Sequence, residues 1–131
     1  MTTRSVAVTG ATGFIGRHLV AHLVAAGVDV RAVVRPESLR APPRGATIFR
    51  APLVADRLGD AFAGVDAVVH LAGVTRATRA EVYEKVNVHG TRAVADAARA
   101  SGARLIHMSS LAAAGSAPPA APRREEDPPA P

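Results

Sequence analysis

Hydrophobic and polar positions follow two different periods along the chain, and the order in which those periods alternate outlines a fold. Ser5 to Thr9 is a short β-branched run, SVAVT, that stops at Gly10. Branched side chains are restricted at χ1 and pack well on a pleated surface, so the run predicts a strand. Phe14 to Ala26 then keeps a helical period, with Ile15, Leu19, Leu23 and Ala26 on one face. Gly27 stands where a helix C-terminus favours a residue tolerant of positive φ, and Asp29 to Val34, DVRAVV, resumes strand character.

A loop rich in Pro and Arg, Arg35 to Gly45, leads to a third apolar run at Ala46 to Phe49 and a short helical patch around Leu58 to Ala63. Asp66 to Leu71, DAVVHL, predicts a fully buried strand. Arg79 to Ala100 predicts one long helix with Tyr83, Asn87, Val94 and Ala98 on one side, and Ala103 to Met108, ARLIHM, predicts a fifth strand. Strands that alternate with helices imply an α/β fold: a doubly wound parallel sheet of about five strands joined by right-handed crossovers.

The composition changes from Ala112 onward. Residues 118–131 hold prolines, a run of mixed charges and no large apolar side chain. Such a segment has no apolar surface to bury against the entropy of ordering it, so it reads as a disordered tail after a domain of residues 1–117. No internal repeat is present.

At 131 residues and 48% apolar content, the chain supports one core but not a core plus a second, substrate-binding domain. The absence of cysteine excludes disulfides and thiolate zinc sites and fits the cytosol. No apolar stretch approaches the roughly 18 residues a membrane helix needs. The formal charge of +5 comes from arginines dispersed along the whole sequence, with Lys85 the single lysine and Arg123-Arg124 the largest basic block. With so few aromatics to stack on a base, this pattern does not predict a nucleic-acid partner. His18 and His22 are four apart on the first helix without a third ligand, which argues against a metal site.

The chemistry concentrates in Thr9-Gly10-Ala11-Thr12-Gly13-Phe14-Ile15-Gly16, where the first strand meets the first helix. In that context each glycine has a separate reason. Gly10 makes the tight turn, Gly13 leaves no Cβ between the backbone and a pyrophosphate, and Gly16 lets helix and strand approach. The helix N-terminus adds free N–H groups and a partial positive charge, so a dinucleotide is the expected ligand.

This glycine spacing resembles the TGxxGxxG motif of the extended short-chain dehydrogenase/reductase family, which includes NAD(P)-dependent epimerases, dehydratases and reductases. Phe14 stands where a second short-chain branch has glycine. Three more stretches match in the family's order: His70-Leu71-Ala72-Gly73, Asn87-Val88-His89-Gly90-Thr91 and Ser109-Ser110. The resemblance implies a Rossmann-type fold with cofactor contacts from Gly10, Thr12, Gly13, Phe14, Ile15 and Gly16, and from Leu71, Ala72 and Gly73. It also implies that Asn87 links helix to site, that Ser109 lies beside the cofactor, and that Ser110 is the serine bonded to the reacting substrate oxygen.

NAD-specific members end the second strand with an acidic residue that accepts the ribose hydroxyls. Here that position is Val34, followed by Arg35, whose guanidinium suits a 2′-phosphate, with Arg40 to assist; NADP is therefore expected over NAD. The family's acidic-aliphatic pair after the third strand is replaced by Ala51-Pro52-Leu53, with Asp56 a few residues later. The family's catalysis uses a tyrosine with a lysine four positions on, whereas Tyr83 and Lys85 are two apart and precede Asn87.

These features predict the nucleotide-binding N-terminal portion of such an enzyme, silent alone, its substrate unread. An NADP-sensing module and a truncated product without independent role are the alternatives. An open fifth strand further predicts self-association.

Overall fold

The computed structural model describes residues 4–131. Five strands form one all-parallel sheet: β1 (Ser5–Thr9), β2 (Asp29–Val34), β3 (Thr47–Arg50), β4 (Ala67–His70) and β5 (Arg104–His107), in the spatial order β3-β2-β1-β4-β5. Helix α1 (Phe14–Ala25) joins β1 to β2, and α2 (Ala55–Phe62) joins β3 to β4. The β4–β5 crossover holds α3 (Ala80–Tyr83), a π-helical segment at Glu84–His89, and α4 (Gly90–Ser101).

Because side chains alternate across a strand, neighbouring residues feed opposite layers. Ala7, Val33 and Val68 face one cluster with Leu58 and Phe62 of α2 and Val94, Ala97 and Ala98 of α4. Val8, Ala32 and Val69 face a second cluster, closed by Val20 of α1. Covering both faces explains why β4 reads as a continuous apolar run rather than an alternating one. Phe62 and Leu58 are fully buried, each contributing roughly 1.5–3 kcal/mol of apolar transfer.

Of the four residues expected on one face of the first helix, Leu19 and Leu23 are partly buried against the second cluster, whereas Ile15 and Ala26 are not. Gly16 and Val20 are the buried residues of α1, while Ile15 is 51% exposed and Ala26 lies outside the helix as its cap. The close approach at Gly16 sets this face, bringing Gly16 rather than Ile15 against the turn at Gly10 and Ala11. The predicted helix end is observed: Gly27 has φ +77°, and the amides of Gly27 and Val28 donate to the carbonyls of Val24 and Leu23, both at 3.0 Å.

The long helix also differs from its expected regularity, since its middle runs in π geometry. The wider turn re-aims side chains between α3 and α4, and Asn87 lies within it. After β5, a 3₁₀ turn at Leu111–Ala114 leads into residues 118–131, which contain no helix or strand; the Ala130 amide donates to the Ala113 carbonyl at 3.1 Å. Among the described residues no helix is long and apolar enough to cross a membrane.

Candidate functional site

Strand order places a crevice where β1 and β4, which run side by side, send their following chains to opposite faces. Gly10, at φ +69°, turns the chain out of β1. A Cβ there would sit 2.6 Å from the Ala72 amide nitrogen and 2.7 Å from the Leu71 carbonyl carbon. The turn and the segment after β4 are therefore in backbone contact, forming the crevice floor. Gly16 packs as closely on the other side, where a Cβ would strike the Gly10 carbonyl and lie 2.8 Å from Ala11 Cα.

Gly13 differs from both. Its Cβ position would meet only the Gly10 carbonyl, at 3.2 Å, and faces open space otherwise. The Gly13 amide donates to that same carbonyl at 3.0 Å, which rounds the turn. No side chain caps α1, and its first turn carries no acidic residue, so the partial positive charge at this helix end is uncompensated by the protein. Phe14, 73% exposed, and Ile15 flank that end.

Polar side chains fix the surrounding backbone. Asn87 uses both ends of its amide on one residue: Oδ1 accepts from the Val74 amide at 2.8 Å and Nδ2 donates to the Val74 carbonyl at 2.9 Å. A Cβ on Gly73 would lie 3.3 Å from Asn87 Oδ1, so Asn87 also abuts the strip after β4. Tyr83 has a comparable task, its hydroxyl accepting from the Ala77 amide at 2.8 Å and donating to the Thr75 carbonyl at 3.5 Å.

The feature that sequence reasoning missed is the bonding of His70, which was placed there only in a strand and in the stretch His70-Leu71-Ala72-Gly73. It is buried, with Nδ1 2.6 Å from Thr9 Oγ1 and Nε2 2.9 Å from Thr91 Oγ1. A neutral imidazole donates through one nitrogen and accepts through the other, so this pairing satisfies it fully. Thr9 Oγ1 in turn accepts from the Ala72 amide at 3.4 Å, linking the ring to the crevice floor. Burial, with His107 stacked at 5.4 Å, lowers the His70 pKa to about 4. The available signal was a polar residue closing an apolar buried strand, level in register with Thr9.

Other sequence-derived candidates lie at the same edge of the sheet. The Met108 amide donates to the His70 carbonyl at 3.1 Å, so Ser109 and Ser110 follow β5 next to the chain leaving β4. Ser110 Oγ accepts from the Ala112 amide at 3.2 Å, capping the 3₁₀ turn. Val34 ends β2 without a carboxylate, and the exposed Arg35 lies 3.6 Å from Glu37. His18 of the helical histidine pair donates from Nδ1 to the Phe14 carbonyl at 2.7 Å.

An all-parallel sheet in this order, with a glycine turn feeding an uncapped helix beside the strand-order reversal, defines a Rossmann-type α/β domain of the dinucleotide-binding class. The profile of the NAD dependent epimerase/dehydratase family matches residues 6–131, and the chain belongs to that family. It is 42% identical over 114 residues to a ceramide reductase of Caulobacter vibrioides, a match covering 82% of this chain and 35% of that protein. It is 36% identical over 132 residues to the dTDP-6-deoxy-L-talose 4-dehydrogenase (NAD(P)(+)) of Kitasatospora kifunensis, covering 96% and 41% of the two. Among solved structures, MoeE5 in complex with UDP-glucuronic acid and NAD superposes with TM-score 0.84 at 33% identity, covering 97% of this chain and 43% of that one. The chain thus spans 35–43% of the length of these relatives.

Proposed function

We propose that the chain binds NAD(P) in the crevice between β1 and β4, as the nucleotide-binding part of an epimerase, dehydratase or reductase. Its substrate is a sugar nucleotide or another molecule with a carbonyl or hydroxyl group. The observation that carries this reading is Gly13: a backbone open to close approach, beside a helix end with no protein anion to neutralise it. Gly10, Thr12, Gly13, Phe14, Ile15 and Gly16 form the phosphate side, and Leu71, Ala72 and Gly73 the opposite wall. Asn87 and Ser109 support the nicotinamide side. The cofactor supplies or accepts hydride when bound; the chain's part is to hold it and exclude water from one face.

NADP is favoured over NAD because Val34 offers no carboxylate to the ribose hydroxyls, while Arg35 and the following loop bring permanent positive charge. Ser110 is assigned to the substrate oxygen. A tyrosine with a lysine four positions later does not occur in the sequence, and the Tyr83 hydroxyl is engaged with loop backbone. Hydride transfer is therefore not expected from this chain alone. The cysteine-free composition supports a cytosolic setting.

Titration of the purified chain with NADPH and NADH, followed by nicotinamide fluorescence, tests the reading. Saturable binding of both with tighter NADPH is expected. Equal affinities overturn the NADP assignment, and failure of both to bind overturns the proposal.

A further inference from the structure

After β5 the chain returns on itself. The 3₁₀ turn at Leu111–Ala114 ends at Gly115, whose φ is +81°. A Cβ on Gly115 would strike the Ala130 carbonyl oxygen, and the Ala130 amide donates to the Ala113 carbonyl at 3.1 Å. Between these points the chain bends at Pro118, whose carbonyl accepts from the Ala121 amide at 3.0 Å. The bend borders a cavity of about 370 Å³, lined by Leu111 and Ala114 from the turn and by Pro118, Pro119, Pro122 and Arg123 from the returning chain. That volume lies at the lower end of the roughly 300–1,000 Å³ typical of small-molecule sites.

The lining selects by chemistry. Among the described residues, Arg123, partly buried, is the one lining side chain able to hydrogen-bond; the others are leucine, alanine, proline and glycine. The prolines also lack a backbone N–H, which leaves this wall poor in donors. A ligand hydroxyl taken from water into such a wall has no new partner, and each one left unpaired weakens binding by about tenfold or more. A hydrocarbon body carries no such penalty and gains by leaving water. Met108 and Leu111, which flank the serine pair in the chain, are 52% and 89% exposed. Ser110 Oγ accepts from the Ala112 amide at 3.2 Å, so its proton is free to donate to a ligand oxygen. One polar group therefore stands directly before an apolar wall.

Resting on the function proposed above, we infer that the cavity at Leu111 takes the hydrocarbon body of an apolar ketone or secondary alcohol whose oxygen meets Ser110. The substrate is then of this class rather than a sugar nucleotide. Arg123 alone could hold a diphosphate, but the hydroxyls of the attached sugar would find no partner on the leucine, alanine and proline surface.

The test follows methyl spectra of the full chain, with and without saturating NADPH, as 2-decanone or UDP-glucose is added. 2-Decanone should shift the Leu111, Ala114 and Ala117 methyls saturably, and UDP-glucose should leave them unmoved. Leu111 is exposed, so Leu111→Ser should keep the far-UV spectrum and melting temperature of the parent. It should weaken 2-decanone binding about tenfold, the effect of losing one leucine contact. Ser110→Ala should weaken it about three- to tenfold, in keeping with one neutral hydrogen bond.

Equal shifts at Leu39, fully exposed on the β2–β3 loop, would show indiscriminate adsorption and overturn the inference. It is also overturned if UDP-glucose moves the cavity methyls at lower concentration than 2-decanone and Arg123→Gln abolishes that effect. Neither result touches the cofactor reading so long as NADPH binds. Failure of NADPH to bind overturns that reading itself, whatever 2-decanone does.

Discussion

Protonating His70 should destabilise the fold, because the charge would be buried away from water and next to His107. The ring is 1% exposed and its pKa is lowered from 6.5 to about 4, first by burial and then by His107. A histidine with a depressed folded pKa favours the native state fully above the unfolded value of 6.5, and that contribution is lost as pH falls toward 4. In this window the unfolded chain binds more protons, so stability rises with pH. Linkage gives a loss of about 2 kcal/mol between about pH 7 and pH 5, and about 3 kcal/mol by about pH 4.

Urea unfolding of the parent chain and of His70→Gln, at matched pH values, reads the effect. Glutamine retains one donor and one acceptor but does not titrate, so the parent should lose about 2 kcal/mol more than the variant between about pH 7 and pH 5. Nitrogen-15 spectra of the parent give the same quantity without a variant, with the ring neutral until pH approaches about 4. A His70 ring that titrates near 6.5, or identical pH slopes for parent and variant, would refute the reasoning.

Gly10→Ala should lower stability by roughly 2–4 kcal/mol, since it combines a left-handed backbone with a Cβ driven into the Ala72 backbone; thermal melting checks this. Asn87→Ala leaves the Val74 amide and carbonyl without their side-chain partners, so a loss of about 1–3 kcal/mol and faster hydrogen exchange at Val74 are expected. The outer side of β5 has no partner strand among the described residues, and Ile106 and Met108 nearby are 49% and 52% exposed. Concentration-dependent association in sedimentation velocity is therefore expected; a cooperatively melting monomer at all concentrations would contradict it.

Much of the fold was legible because it rests on short-range rules. β-branched runs fixed the strands to within a residue or two, and the glycine at position 27 marked the helix end where the left-handed turn occurs. The glycine turn was legible in the same way, because its spacing has meaning only between a strand and a helix. Leu19 and Leu23 of α1 were legible as core-facing, but the burial of Gly16 in place of Ile15 was hidden, since it is set by how closely Gly16 meets the Gly10 carbonyl, a contact between backbones rather than a periodicity of side chains. The π-helical segment was hidden for a related reason: one extra residue per turn leaves no compositional mark, although it directs Asn87 onto Val74. The bonding of His70 escaped notice because its partners, Thr9 and Thr91, are distant in sequence and meet only when β1, β4 and α4 are packed.

The central claim is that the turn from Gly10 to Gly16 and the strip from Leu71 to Gly73 together grip a dinucleotide. Backbone amide spectra of the labelled chain, recorded as NADPH is added, address it residue by residue. The largest shifts are predicted at Gly10, Gly13, Phe14, Ile15, Ala72 and Gly73, saturating together. Shifts that leave these amides unmoved, or that gather instead along residues 118–131, would contradict the account.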